Sequence, residues 1–165
     1  MTALFAAMTA VLSLITIPTP FGLPFTLQTF AVALCGFFLG WKSGIAAVVV
    51  YIVLGAVGLP VFSGFGSGIG VLFGPTGGFL WGFPVLAALC GLPLKKKPAA
   101  IAAGIAGLAL CHVFGILQYA AVTNRSFAEA FFLVSMSFLL KDILSVVFAF
   151  VFAKLLKKAA GRFQT

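Results

Sequence analysis

The chain has 165 residues, of which 63% are hydrophobic and 7% are charged, with a formal net charge of +8. A soluble domain of this size must turn a large share of its residues toward water, and this composition cannot supply them; a soluble globular fold is excluded and lipid is the expected solvent. The basic excess is not a nucleic-acid footprint: Lys42, Lys95, Lys96, Lys97, Lys154, Lys157, Lys158 and Arg162 lie between or after apolar runs, so the expected contact is the lipid bilayer and no nucleic acid.

Gly, Pro and Lys divide the chain into six apolar runs, at residues 2–17, 26–41, 43–59, 76–93, 98–121 and 137–156. The expected fold class is all-α, an integral membrane bundle of six transmembrane helices in a single domain over residues 1–165. With six spans those cations share one side and only Arg125 lies in a loop on the other, which places both termini in the cytoplasm. Several runs fall short of the roughly 20 residues a perpendicular helix needs, so they thin the bilayer or pack centrally.

Residues 1–17 carry no Lys or Arg ahead of the apolar run and flow into PTPFGLP, so they read as a first membrane helix rather than a secretory signal. This run holds two small-xxx-small pairs, Ala3/Ala7 and Ala6/Ala10. That spacing lets a helix approach the backbone closely, either within the bundle or from a separate membrane protein. Pro18, Pro20 and Pro24 then make a stiff outer connection. The second run opens at Thr26-Leu27-Gln28-Thr29; Thr26 is a candidate helix cap, and Gln28 brings an amide to the outer end.

Residues 59–82 carry glycine at 64, 66, 68, 70, 74, 77 and 78 and cannot hold a regular helix throughout. Irregular backbone beside a membrane is tolerated where protein or a wet cavity covers it, and its free amides and carbonyls become recognition groups. The plainer reading is an outer hairpin, with Gly78 and Gly82 serving close helix packing. Cys35, Cys90 and Cys111 lie inside runs without metal-ligand spacing and read as packing residues. His112 reads as a packed polar residue. Ser126 and Glu129 have the spacing of a capping box that starts a helix.

The last run contains the sole aspartate, Asp142, beside Lys141. A carboxylate at membrane depth costs about 2.5–3.5 kcal/mol on insertion scales, which makes it a functional-site candidate. A start near Ser137 puts Asp142 roughly 8 Å from the outer end. On a helix Lys141, Asp142 and Ser145 share a wedge about 100° wide, able to face one cavity. There Lys141 and Ser145 would hold a ligand carboxylate while Asp142 orients or balances the charge; the plainer alternative is an ion pair that only positions the helix.

No GxxxxGK[ST] phosphate loop, HExxH, GxSxG or Cys/His/Asp cluster is present. The expectation is a binding pocket rather than an enzyme, with no metal and no cofactor of its own.

Three stretches, PFTLQTFAVALCGFFLG, VYIVLGAVGLPVFSGFGSGIGVLFGPTGGFLWGF and TNRSFAEA through SFLLKD, resemble the BioY family, the biotin-binding S components of energy-coupling-factor transporters. The resemblance runs from about Ala3 to Lys158. It implies a multi-pass subunit of the prokaryotic cytoplasmic membrane that takes biotin from the outer side. It also implies as partners a membrane scaffold, the T component, and two cytoplasmic ATPases that use the ATP. The first helix, with Ala3, Ala6, Ala7 and Ala10, would be the docking surface for the scaffold. The family usually has PFLPGD with a lysine three residues after the aspartate. Here the segment is SFLLKD, Ser145 stands at the lysine position, and Lys141 is the nearby cation. A family aromatic near the outer end of the fifth run is replaced by Gln118 or Tyr119.

On this reading the ureido ring of biotin meets Gln28, Thr29 and the backbone near Thr76 and Gly77. Phe25, Phe79 and Trp81 form apolar walls, and the carboxylate meets Lys141, Ser145 and Asp142. Two alternatives are an S component for another small carboxylate or vitamin, and a small channel with GPTGG as a re-entrant filter.

Overall fold

A computed structural model describes residues 1–17 and 25–162. The expected proline-stiffened connection at Pro18, Pro20 and Pro24 lies outside the described residues.

The chain is mostly helical. Helix α1 (Thr2–Leu14) leads into a two-residue strand β1 (Thr16–Ile17), which pairs antiparallel with β2 (Phe25–Thr26) through Thr16 opposite Thr26. This small ladder was not anticipated; the β-branched Thr16, Ile17 and Thr26 favour it, and it satisfies backbone groups where a helix ends near a membrane. Then follow α2 (Gln28–Leu39), α3 (Trp41–Ala56), a short α4 (Ile69–Leu72), α5 (Gly77–Cys90), α6 (Lys97–Thr123), α7 (Phe127–Ala130) and α8 (Ser137–Arg162). A π-helical turn, Phe131–Met136, joins α7 to α8 into one rod. Asp142 therefore lies 15 residues, about 22 Å, from the start of that rod at Phe127, deeper than a helix beginning at Ser137 suggests.

Two helical stretches are long and apolar enough to cross a membrane: Lys97–Thr123 with mean hydropathy 2.2, and Phe127–Gly161 with 2.0. Helices α1, α2, α3 and α5 are apolar but shorter. Leu4, Val11, Val53, Leu117, Phe132, Leu140 and Phe148 are exposed on the outside. That is an outer surface suited to lipid rather than water.

Helix α2 sits centrally, with Ala31, Val32, Ala33, Leu34 and Cys35 all buried among neighbouring helices. Contact between α5 and α6 depends on missing side chains. A methyl group at Gly78 would stand 2.7 Å from the Phe114 carbonyl carbon, and one at Gly82 would stand 2.7 Å from the Cys111 α-carbon. The expected packing role of these two glycines is present. The three cysteines are buried and free, as packing residues.

Residues 59–76 break into a tight turn at Ser63–Phe65 and the four-residue α4. Gly64 and Gly68 take positive φ, of 67° and 87°, a backbone region closed to most side chains. Phe62 anchors the segment, fully buried and edge-on to Tyr51 at 5.6 Å. The Ser126–Glu129 capping box forms as expected: Ser126 Oγ accepts from the Glu129 amide, and Glu129 accepts from the Ser126 amide at 2.9 Å. Thr26 lies in β2 rather than at the cap position, which Leu27 occupies; Thr26 Oγ1 accepts from the Gln28 amide at 3.3 Å.

Candidate functional site

A cavity of about 280 Å3 opens between α2, the glycine-rich segment, α5 and the α7–α8 rod. Its polar lining comes from Thr26, Gln28, Thr29, Ser63, Thr76, Lys141 and Asp142. Its apolar walls are chiefly Phe62, Phe79, Phe83 and Phe138. The volume is near the lower end of the ~300–1,000 Å3 typical of small-molecule sites, and the lining has the usual mix of many apolar and a few polar groups.

Asp142 is 5% exposed and has two charged or chargeable neighbours. Lys141 Nζ lies 2.5 Å from Oδ1, and His112 Nε2 lies 3.3 Å from Oδ2. The Lys141 contact is an ion pair, and Oδ1 is itself buried. Lys141 Nζ also donates to the Thr26 carbonyl at 3.1 Å and stands 6.0 Å from the rings of Phe25 and Phe138. Adjacent residues on a helix point about 100° apart, so the pair meets because the four-carbon stem of Lys141 curls back.

His112 is the packed polar residue expected, buried and outside the cavity lining. Its Nδ1 lies 2.8 Å from Ser135 Oγ, and its ring stands edge-on to Phe79 at 5.5 Å. An ionised Asp142 only accepts, so Nε2 carries the proton of the pair. Nδ1 and the Ser135 hydroxyl form the ring's second hydrogen bond. The rule that marks Asp142, an ionisable residue inside an apolar run, marks the single histidine equally well and was the available signal.

The structure brings Gln28, Thr29, Thr76, Phe79, Lys141 and Asp142 together on one cavity. Gln28 Nε2 donates to the Tyr51 hydroxyl at 2.6 Å, which fixes the amide in place. Four expectations are corrected. Ser145 is buried one turn below Lys141 and does not line the cavity, because the lysine stem turns toward Thr26 instead. Gly77 is pressed against the Leu72 carbonyl and the Gln118 amide, where its missing side chain serves packing. Trp81 faces outward and donates to the Leu72 carbonyl at 3.1 Å. Phe25 packs edge-on to Phe138 at 4.9 Å, behind the cavity wall. The residues Gly77 and Gly78 of GPTGG lie within α5, and the Gly74 carbonyl accepts from Gln118 Nε2.

Sequence reasoning missed Ser63, Phe62 and Phe138. Ser63 Oγ is buried without a hydrogen-bond partner among the described residues and lines the cavity. Gln118 donates to the Leu72 and Gly74 carbonyls at 2.7 and 2.8 Å and ties the glycine-rich segment to α6. Arg125 is exposed and away from the cavity. Of the alanines, Ala3 and Ala7 are exposed, Ala10 is half-buried and Ala6 is buried in the core. Ala6 is thus corrected to internal packing, since it faces inward beside Phe5.

The sequence model of the BioY family matches residues 1–162. The chain is 39% identical to "Biotin transporter BioY" of Thermotoga maritima over 161 residues, covering 94% of this chain and 92% of that one. It is 36% identical to "Probable biotin transporter BioY" of Pyrococcus horikoshii, covering 94% and 93%. Its fold matches the S-component for biotin from an ECF-type ABC transporter with a TM-score of 0.85 and 23% identity, covering 95% of this chain and 88% of that one.

Proposed function

This chain belongs to the BioY family, and from that premise we propose that it is a membrane-embedded substrate-binding subunit for biotin, not an enzyme. The observation that carries the reading is the cavity itself, polar at Gln28, Thr29 and Ser63, apolar along Phe79, Phe83 and Phe138, and cationic at Lys141. Biotin has matching parts: a hydrogen-bonding ureido head, an aliphatic chain and a carboxylate. Lys141 pairs with the carboxylate, since a charge-assisted hydrogen bond in a dry site is stronger than a neutral one. Asp142 holds Lys141 in the cavity wall, and His112 holds Asp142. Lys141 thus supplies the cation that the family pattern places three residues after the aspartate. The unpartnered Ser63 Oγ and the fixed Gln28 amide meet the ureido head. Desolvated polar partners of that kind reject analogues that cannot satisfy them.

In the same proposal α1, α2, α3, α5, α6 and α8 each cross the membrane, with both termini cytoplasmic, and biotin enters from the outer side. The outward Ala3/Ala7 face of α1 receives the T component, and two cytoplasmic ATPases drive delivery.

Titration calorimetry of the purified protein tests the site. Biotin should bind at least about tenfold more tightly than biotin methyl ester, the difference expected from one charged hydrogen bond. In Lys141→Met the two should converge, and Asp142→Ala should lose most of the affinity. Equal affinity for acid and ester in the unaltered protein, or unchanged biotin binding in Asp142→Ala, would overturn the assignment.

A further inference from the structure

A second cavity, of about 360 Å3, lies at the opposite end of the bundle. Lys154 on α8 is 13 residues past Lys141, about 20 Å along the helix. Cys90, Leu92, Ala100 and Phe150 line its apolar part, and Lys154 and Lys157 stand in its wall. Its floor is held in place: the Trp41 amide donates to the Gly91 carbonyl at 3.0 Å, and a methyl group at Gly91 would strike the Gly40–Trp41 backbone. The space is therefore built by the turn between α2 and α3 resting on the end of α5.

Among the described residues the charge there is uncompensated. The chain has two acidic residues. Asp142 is engaged by Lys141 and His112, and Glu129 by Ser126, both away from this cavity. Lys154 and Lys157 make no ion pair among the described residues, and Lys97, at the start of α6, repels Lys154. Lys154 Nζ lies 4.4 Å from the centre of the Phe150 ring, so its charge is held over the apolar wall. The first turn of α6, which contributes Ala100 to the cavity, begins at Lys97 without a side-chain cap.

We propose that this cavity binds an anionic phospholipid, its phosphoryl group between Lys154 and Lys157 and the start of its acyl chains against Cys90, Leu92 and Phe150. An apolar pocket bordered by unpaired lysines at the end of a lipid-facing bundle matches a molecule with an anionic head and an apolar tail. It does not match a free phosphate, which would leave the apolar wall unfilled. Basic pockets between membrane helices recognise headgroups in this way. The inference is independent of what occupies the first cavity.

Native mass spectrometry of the full chain in detergent, titrated with phosphatidylglycerol or phosphatidylcholine of matched acyl chains, reads the preference. Two lysines near a headgroup, each contributing about 1 kcal/mol, give roughly a thirtyfold preference for the anionic lipid. Lys154→Gln with Lys157→Gln should abolish most of it. Ala100→Leu keeps the lysines but fills the apolar arm, and should weaken both lipids. Thermal unfolding of each variant without lipid establishes that it is folded, and a variant that fails is replaced by the single Lys157→Gln, which should lose about half of the logarithmic preference. Equal retention of the two lipids by the unaltered chain overturns the proposal. So does a preference unchanged in the double variant. Inorganic phosphate that displaces phosphatidylglycerol at equal concentration would also overturn it, by showing that the tail contributes nothing.

Discussion

The His112–Asp142 contact gives the sharpest test of how the site is held. Both side chains are buried, at 3% and 5% exposure, and meet at 3.3 Å. His112→Ala removes the imidazole from Oδ2 and leaves Ser135 Oγ without its 2.8 Å partner. A hydrogen bond to a charged group contributes about 1.5–3 kcal/mol, and the vacated ring adds a packing loss. Lys141 still faces Asp142, so the carboxylate is not orphaned and the larger penalty for an unpaired buried charge does not apply. A total near 3 kcal/mol lowers the midpoint of thermal unfolding by roughly 6–12 °C for a chain of this size. A double-mutant cycle with Asp142→Asn isolates the contact. If the pair interacts as described, the double variant is less destabilised than the sum of the singles by about 1.5–3 kcal/mol. Singles that add to within about 0.5 kcal/mol would refute the claim that His112 supports Asp142.

Three further outcomes follow from other contacts. Gly78→Ala should destabilise the bundle by about 1–3 kcal/mol, because the new methyl meets the Phe114 carbonyl on α6; an unfolding midpoint equal to the unaltered chain's would show that the two helices are not so closely apposed. Gln118→Ala should release the Leu72 and Gly74 carbonyls, raising amide hydrogen exchange across residues 72–78 and the rate of biotin release, while exchange in α3 stays the same. Glu129 accepts hydrogen bonds from the amide and hydroxyl of Ser126, which hold its carboxyl below its ordinary 4.5. The folded value is the lower one, so this support is complete above 4.5 and fades as pH falls through the depressed value. Amide protection in α7 should drop on that acid limb and lose its pH dependence in Glu129→Gln; the same acid slope in that variant would assign it to another group.

The placement of the long helices was legible because apolar runs ended at Gly, Pro and Lys: α2, α3, α5, α6 and α8 begin within about two residues of the expected positions. The capping box was legible because its spacing is local. The π-helical turn was not, since FFLVSM is apolar whichever helical register it adopts, and tertiary packing of Val134 and Ser135 decides it. In the site, Asp142 was legible because a carboxylate in an apolar run needs a reason. Ser145 was misplaced because angular position on a helix fixes which way a residue faces, but not how far a short side chain reaches past a long one. The packing of His112 was legible, but which groups it packs against was not. Its partners, Asp142 and Ser135, are 30 and 23 residues away in sequence, and only α6 packing beside the α7–α8 rod brings them within reach.

The spacing of charges along α8 sets the depth of the site. Lys154 lies 12 residues beyond Asp142, about 18 Å along the axis. A hydrocarbon core is about 30 Å thick. With Lys154 at one headgroup level, Asp142 is left roughly 12 Å beneath the other surface, too deep for a carboxylate to be solvated from lipid. Snorkelling does not rescue it, because an aspartate stem is one carbon long. Asp142 is held there by its contacts with Lys141, His112 and Thr29 and by the cavity that opens beside it. The lysine and histidine around the carboxylate and the open space beside it are therefore parts of one requirement. Filling the cavity with an apolar side chain, as in Thr76→Leu, should destabilise Asp142 as well as block a ligand. Its unfolding midpoint should fall in the unaltered background and fall less in Asp142→Asn; an equal fall in both would mean that the open cavity does not support the charge.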